Sequence, residues 1–276
     1  MSDFLHLVSD PPEDAPSAPE VQMPTVATDP ELSTDTPAAA RAASKPKRAS
    51  SGPKWEEEAR NRLRSSLKRL SKPLGDAVQR DANEADTRLF VTELLVEALG
   101  FHRFEDLDTE YPVKGQFADY GLRIDKQLVA FVEVKRCATK LAPKHLRQLV
   151  TYAVTEGVEW IILTNAALWQ LYHLQGGLPV SVDLVLEVDL LGGDSLPVLA
   201  SSLLPLTRDA TKRGALDTLW RRVRASSPQS VAAAIMAPAV VRAVRAEMHR
   251  QTGHLLSIDE VAHLIRDTTL RPEVCG

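Results

Sequence analysis

Apolar residues recur at helical spacing at Ala59, Leu63, Leu67 and Leu70, with arginines and lysines on the other faces. This predicts an amphipathic helix that docks through one stripe, ended by Pro73 and Gly75. From Asp81 the pattern turns globular. Leu89, Phe90, Leu94, Leu95 and Ala98 repeat every three to four residues up to Gly100, which predicts a helix over about 84–99. Extended stretches follow at about 109–113, 117–124 and 127–136, then a helix over about 143–156. Three more strands are expected at 160–164, 168–173 and 182–190, separated by Gly176-Gly177 and followed by Gly192-Gly193. Beyond Leu203 the chain reads as helical: about 209–224, about 229–251 with a break at Pro238, and a last helix opened by a capping-box pair, Ser257 and Glu260.

The order is α-β-β-β-α-β-β-β, an α/β (α+β) fold with a mixed sheet and a helical C-terminal appendage. Four segments are expected: an arm over 1–53, a basic amphipathic helix and linker over 54–80, a globular domain over 81–192 and a helical region over 203–276. The first 53 residues hold nine of the 18 prolines and few large apolar residues. Little burial can offset the cost of ordering such a segment, so a disordered arm is expected.

Charge is uneven. The chain as a whole carries −4, so any attraction to nucleic acid must be local. Residues 1–40 contain eight acids and no Lys or Arg, whereas over 41–80 twelve Lys or Arg stand against four Asp or Glu. That block reads either as a basic arm touching phosphates or as a solvated linker and helix surface. A helix lying on a membrane is a weaker reading of so few apolar positions. No apolar run is long enough to span a bilayer and no secretory pattern opens the chain. The two cysteines, Cys137 and Cys275, are expected as thiols of a cytoplasmic protein.

The strand Gln127 to Arg136 is the informative one. Leu128, Ala130, Val132 and Val134 are expected on one face, and Val129, Phe131, Glu133 and Lys135 on the other. Both faces are mostly apolar, as in a central strand, and two opposite charges then share one face at its end. Charges entering a buried setting need partners or a metal. If the preceding strand forms a hairpin with this one, Asp119 comes beside Glu133, and two carboxylates so close call for a cation between them. A hard divalent ion fits: Mg2+, with Mn2+ able to replace it. Glu-x-Lys on a strand is also common as a surface ion pair. In the following helix Lys144, Gln148 and Tyr152 fall at i, i+4 and i+8, either as a polar line leading to the sheet end or as ordinary half-buried packing.

Asp119, thirteen further residues, Glu133-Val134-Lys135 and then Gln148-x-x-x-Tyr152 resemble the PD-(D/E)xK nuclease superfamily. The strings Asn83 to Arg88, Glu110 to Val113, Ala118 to Tyr120, Thr164-Asn165 and Trp169 to Tyr172 are similar to the N-terminal nuclease domain of type I restriction enzyme R subunits and its stand-alone relatives. The resemblance covers about residues 80–190. Ala118 stands where many members have proline, and no phosphate-binding Gly-x-x-x-x-Gly-Lys-Ser/Thr loop occurs, so the chain has no ATP-driven motor of its own.

The resemblance implies a restriction-endonuclease-like αβββαβ core and a metal-dependent deoxyribonuclease acting in restriction, phage defence or DNA repair. It implies that Asp119, Glu133 and the Val134 carbonyl hold Mg2+, and that Lys135 orients or deprotonates water. Glu84, with Asp86 as its rival, would contact a metal-bound water or a second ion. Gln148 and Tyr152 would position the site or the strand being cut. Lys140, Lys144 and Arg147 are expected to grip DNA phosphates, or else to form a solvated face, and His145 is expected as a surface residue near the site. The competing reading is a catalytically silent nuclease-like subunit that binds DNA or assembles with a partner. The arm and the helical tail are the surfaces expected to meet a protein partner.

Overall fold

The computed structural model describes residues 52–177 and 180–269. The expected arm therefore lies, up to residue 51, outside the described residues. Six strands form one mixed sheet in the order β1 (Leu107–Val113), β2 (Gln116–Ile124), β3 (Gln127–Val134), β4 (Trp160–Thr164), β5 (Leu168–Gln175) and β6 (Ser181–Asp189). Neighbours are antiparallel except β3 and β4, which run parallel. That one parallel step requires a crossover, supplied by a 3-10 turn at Pro143–Leu146 and helix α3 (Arg147–Glu156). The expected α-β-β-β-α-β order is present, opened by α2 (Glu84–Glu93) and its π-helical continuation Leu94–Ala98.

The hairpins have local causes. Lys114 and Gly115 both take positive φ between β1 and β2, and so do Asp125 and Lys126 between β2 and β3. Two consecutive left-handed residues match the twist of the strands they join. Gly121 in β2 is needed for space, since a Cβ there would stand 2.7 Å from the Tyr111 ring.

The sheet separates two cores. One face packs on α3 through Phe131, Ile161, Leu163, Leu149 and Ala153. The other carries Tyr120, Leu122, Ala130, Val132 and Val134 against α1 (Lys54–Gln79) and the end of α2. Helices α4 (Leu196–Leu203) and α6 (Ala215–Ala225) complete this larger core through Leu199, Leu203 and Leu216. Helices α7 (Pro228–Ile235), α8 (Pro238–Thr252) and α9 (Ile258–Leu264) follow, and Val241, Val261 and Ile265 form a small cluster of their own. Among the described residues no helix is long and apolar enough to cross a membrane.

Several expectations need correction. Helix α1 does not stop at Pro73 but runs through it to Gln79. The lost backbone donor is offset by Leu74 and Ala77, which extend the buried stripe one turn further. The third strand ends at Val134, not Arg136. The strict alternation expected along it fails at its start, because a bulge opposite Leu122 and Arg123 inserts an extra residue. Val129 therefore packs with Ala130 on the larger core, and Leu128 joins the α3 face. The helix expected over 209–224 is two pieces, α5 (Arg208–Thr211) and α6, because Gly214 takes φ +74° between them. Helix α4 was not expected. The break at Pro238 and the capping box of Ser257 with Glu260 are present.

Candidate active site

The site forms where β2 and β3 part company. Their ladder pairs Tyr120 with Val132, and the next residues along each strand are Asp119 and Glu133. The hairpin thus brings the two acids to the same end of the sheet. Asp119 is buried, and its Oδ2 accepts a 2.7 Å hydrogen bond from the Val134 N–H. On the other side of β2, Glu110 stands between the pairs Thr109–Tyr120 and Tyr111–Ala118, and it takes φ +51°. Ala118 faces the α3 core while Tyr120 faces the larger one. Strand alternation is therefore broken at Asp119, beside a residue in a costly backbone conformation. Such outliers cluster at functional positions.

Glu133 and Lys135 lie on one face, and Lys135 Nζ donates to Glu133 Oε1 at 2.5 Å. Burial raises the Glu133 carboxyl above its ordinary range; the Lys135 hydrogen bond counters this, while the charges of Asp119 and Glu84 add to it. Burial pulls the Lys135 ammonium down, but the hydrogen bond and charge of Glu133, with Glu84 and Asp119 beyond, outweigh it and leave the group raised. Burial thus dominates the Glu133 shift, and neighbouring acid dominates the Lys135 shift.

Helix α2 supplies the remaining charges. Asn83 caps it by accepting from the Asp86 N–H, which sets Glu84 and Arg88 one turn apart. The Arg88 guanidinium binds Asp119 Oδ1 and lies 3.7 Å from Glu110 and 4.0 Å from Glu84. Asp86 turns away from this group and lies 3.7 Å from Arg80. Four carboxylates, of Glu84, Glu110, Asp119 and Glu133, thus surround two cations, Arg88 and Lys135. The imbalance of two negative charges matches a divalent ion.

The donors suit a hard one. The acids that meet at this sheet end offer carboxylate oxygens, and hard divalent ions take oxygen ligands and keep several waters. Among the described residues no three His, Cys, Asp or Glu side chains converge into a cage.

The end of β3 is held from behind by residues whose roles are structural. The Lys135 N–H donates to the Thr164 carbonyl, and Asn165 Nδ2 donates to the Thr139 carbonyl. Thr87 Oγ1 accepts from the Cys137 N–H, which fixes α2 against the chain just after Lys135. Trp169 is buried and donates its indole N–H to Ala166.

Gln148 and Tyr152 form a separate polar group. Their side chains hydrogen-bond each other, and both donate to Gln116 Oε1, at 3.0 Å from Gln148 and 2.6 Å from Tyr152. No hydrogen bond joins this group to Asp119, Glu133 or Lys135 among the described residues. Lys144 lies in the 3-10 turn before α3, so the helical line expected from it starts only at Gln148. Lys140, Lys144 and Arg147 are exposed and without an ion pair among the described residues. His145 is half-buried and its Nδ1 accepts from the Ala142 N–H at 3.2 Å; burial, with the charges of Lys144 and Lys135, lowers its pKa.

The sequence reading passed over three of these residues, of which Glu110 is marked only by its backbone conformation. Arg88 carried a signal, its i+4 spacing from Glu84. Gln116 carried none, since a glutamine after a turn reads as surface. No family model, curated protein or solved structure matches the chain.

Proposed function

We propose that this protein is a metal-dependent nuclease that hydrolyses DNA phosphodiester bonds. The observation that carries the reading is the meeting of Asp119, Glu133 and Lys135 at the split between β2 and β3, with Lys135 Nζ 2.5 Å from Glu133. A structural ion pair needs one acid and one base. The second buried carboxylate, the surplus negative charge and the backbone break at Glu110 support a site built for a cation and a phosphate.

In this reading Asp119, Glu133 and the Val134 carbonyl would hold Mg2+ or Mn2+, which when bound would supply Lewis acidity toward a phosphoryl oxygen and an acidified water. Lys135 sits where it can orient the attacking water and offset charge that develops on the phosphate. Glu84 accepts a hydrogen bond from water at the edge of the site. Gln148 and Tyr152, fixed through Gln116, steer the strand toward the carboxylates, while Lys140, Lys144 and Arg147 hold flanking phosphates.

The test is cleavage of linear, circular and single-stranded DNA by the full chain, with Mg2+ or EDTA, compared with Lys135→Ala. Metal-dependent cutting by the wild type and none by the variant supports the proposal. A folded wild type that cuts none of these substrates with Mg2+ or Mn2+ sinks it in favour of a silent DNA-binding subunit.

A further inference from the structure

Arg88 is held in a way that a purely structural arginine would not require. Its guanidinium occupies Asp119 Oδ1, while Oδ2 is taken by the Val134 N–H. Both oxygens of the most buried acid in the site are therefore engaged. Yet the arginine itself is poorly satisfied, because its Nε is buried with no hydrogen-bond partner. Buried donors are normally paired, and arginine has five donors to place. Two further acceptors stand within reach of the same guanidinium: Glu110 at 3.7 Å on β1 and Glu84 at 4.0 Å on its own helix. The side chain is about one-third exposed, so its head can move without unpacking the core.

Resting on the metal-dependent reading above, we propose that Arg88 is a built-in counter-ion that competes with the divalent cation for Asp119. In the metal-free protein it neutralises a buried carboxylate that would otherwise stand unpaired. When the cation arrives, the guanidinium moves to Glu110 and Glu84. The donors that those two carboxylates leave unused can then meet a DNA phosphate. Arg88 is thus a positioning residue: it sets the state of a proposed ligand, and it keeps the site closed at low metal concentration.

The test needs neither DNA nor catalysis. Mn2+ binding to the full chain is measured by calorimetry or by the loss of the free-ion magnetic resonance signal. The proteins compared are wild type, Arg88→Gln and Arg88→Lys, with Asp119→Asn as the site control. Removing a positive charge beside a divalent ion should tighten binding, so Arg88→Gln is expected to lower the Mn2+ Kd about tenfold or more. Arg88→Lys keeps the charge and should stay within about threefold of wild type. Arg88→Met replaces the glutamine variant if circular dichroism shows that the latter misfolds. Equal or weaker Mn2+ binding by the neutral variant overturns the competition and leaves the cation site standing. If no form binds Mn2+, or Asp119→Asn binds it as well as wild type, the cation site itself falls and the competition falls with it.

Discussion

The backbone N–H of Val134 donates a 2.7 Å hydrogen bond to Asp119 Oδ2, tying β2 to β3 just beyond the last pair of their ladder. One carboxylate therefore closes the sheet with one oxygen and meets Arg88 with the other. Structure and chemistry separate at this residue by substitution. Asp119→Ala leaves the buried Val134 N–H without an acceptor and leaves Arg88 to Glu110 and Glu84, and should cost about 1–3 kcal/mol of stability in urea unfolding. Asp119→Asn keeps an acceptor for Val134 and should cost about 1 kcal/mol. Both should lose metal-dependent cleavage by at least about a hundredfold. An Asp119→Asn protein that folds and cuts like wild type removes Asp119 from the site.

Lys135 is partnered by a side chain two residues away on its own strand. Its hydrogen bond to Glu133 restrains a carboxyl that burial pushes up. Lys135→Ala should lower single-turnover cleavage at saturating DNA by about a hundredfold to ten-thousandfold. DNA affinity should change little, because the lysine is only about one-quarter exposed and is not among the surface cations. A loss of affinity equal to the loss of rate would recast Lys135 as a phosphate-gripping residue.

What the sequence disclosed followed from period. The short apolar runs of β3 and β4 give those strands, and a hairpin between β2 and β3 then brings Asp119 beside Glu133. What it concealed depended on contacts between distant positions. The run of α1 through Pro73 is set by Leu74 and Ala77 meeting a core built from other segments. The bulge that reverses Leu128 and Val129 is a matter of pairing with β2, which no periodicity within β3 records. Arg88 carried an i+4 signal toward Glu84, but its decisive partner is 31 residues away.

Asp106 and Arg208 form another such long-range pair, 102 residues apart. Asp106 is 2% exposed and accepts from Arg208 Nε at 2.6 Å and from the His102 N–H at 2.7 Å. It anchors the start of α5 beside the turn that leads into β1. Asp106→Ala should destabilise the protein by about 2–4 kcal/mol, because a half-buried guanidinium loses its counter-charge and the His102 N–H its acceptor. Replacing both residues together, as Asp106→Leu with Arg208→Met, should recover more than half of that loss. Thermal melts of the wild type and the two variants check this, and a double variant no more stable than Asp106→Ala would show that the loss does not come from an arginine left without its counter-charge.

Helix α1 should behave as part of the sheet domain, not as an appendage. Leu63 is fully buried in the larger core, whereas Leu89 on α2 is 67% exposed. Leu63→Ala should cost about 2–5 kcal/mol through lost burial and a residual cavity, and Leu89→Ala less than about 0.5 kcal/mol. Similar small losses at both positions would mean that α1 docks only loosely.

The exposed cations at the β3–α3 connection allow a test of the DNA interface that is independent of cutting. Lys140, Lys144 and Arg147 stand out from the segment leading into α3, free of ion pairs among the described residues. If each meets a phosphate, binding releases condensed counter-ions, and log Kd depends linearly on log salt with about 0.9 per contact on duplex DNA. Changing all three to Gln should therefore reduce the salt slope by about 2–3. Affinity should fall alike for unrelated duplexes, because phosphates carry no sequence information. The measurement is fluorescence anisotropy across a salt series in EDTA, where no cleavage interferes. An unchanged slope with the triple variant would place the DNA on another face and leave these three as a solvated surface.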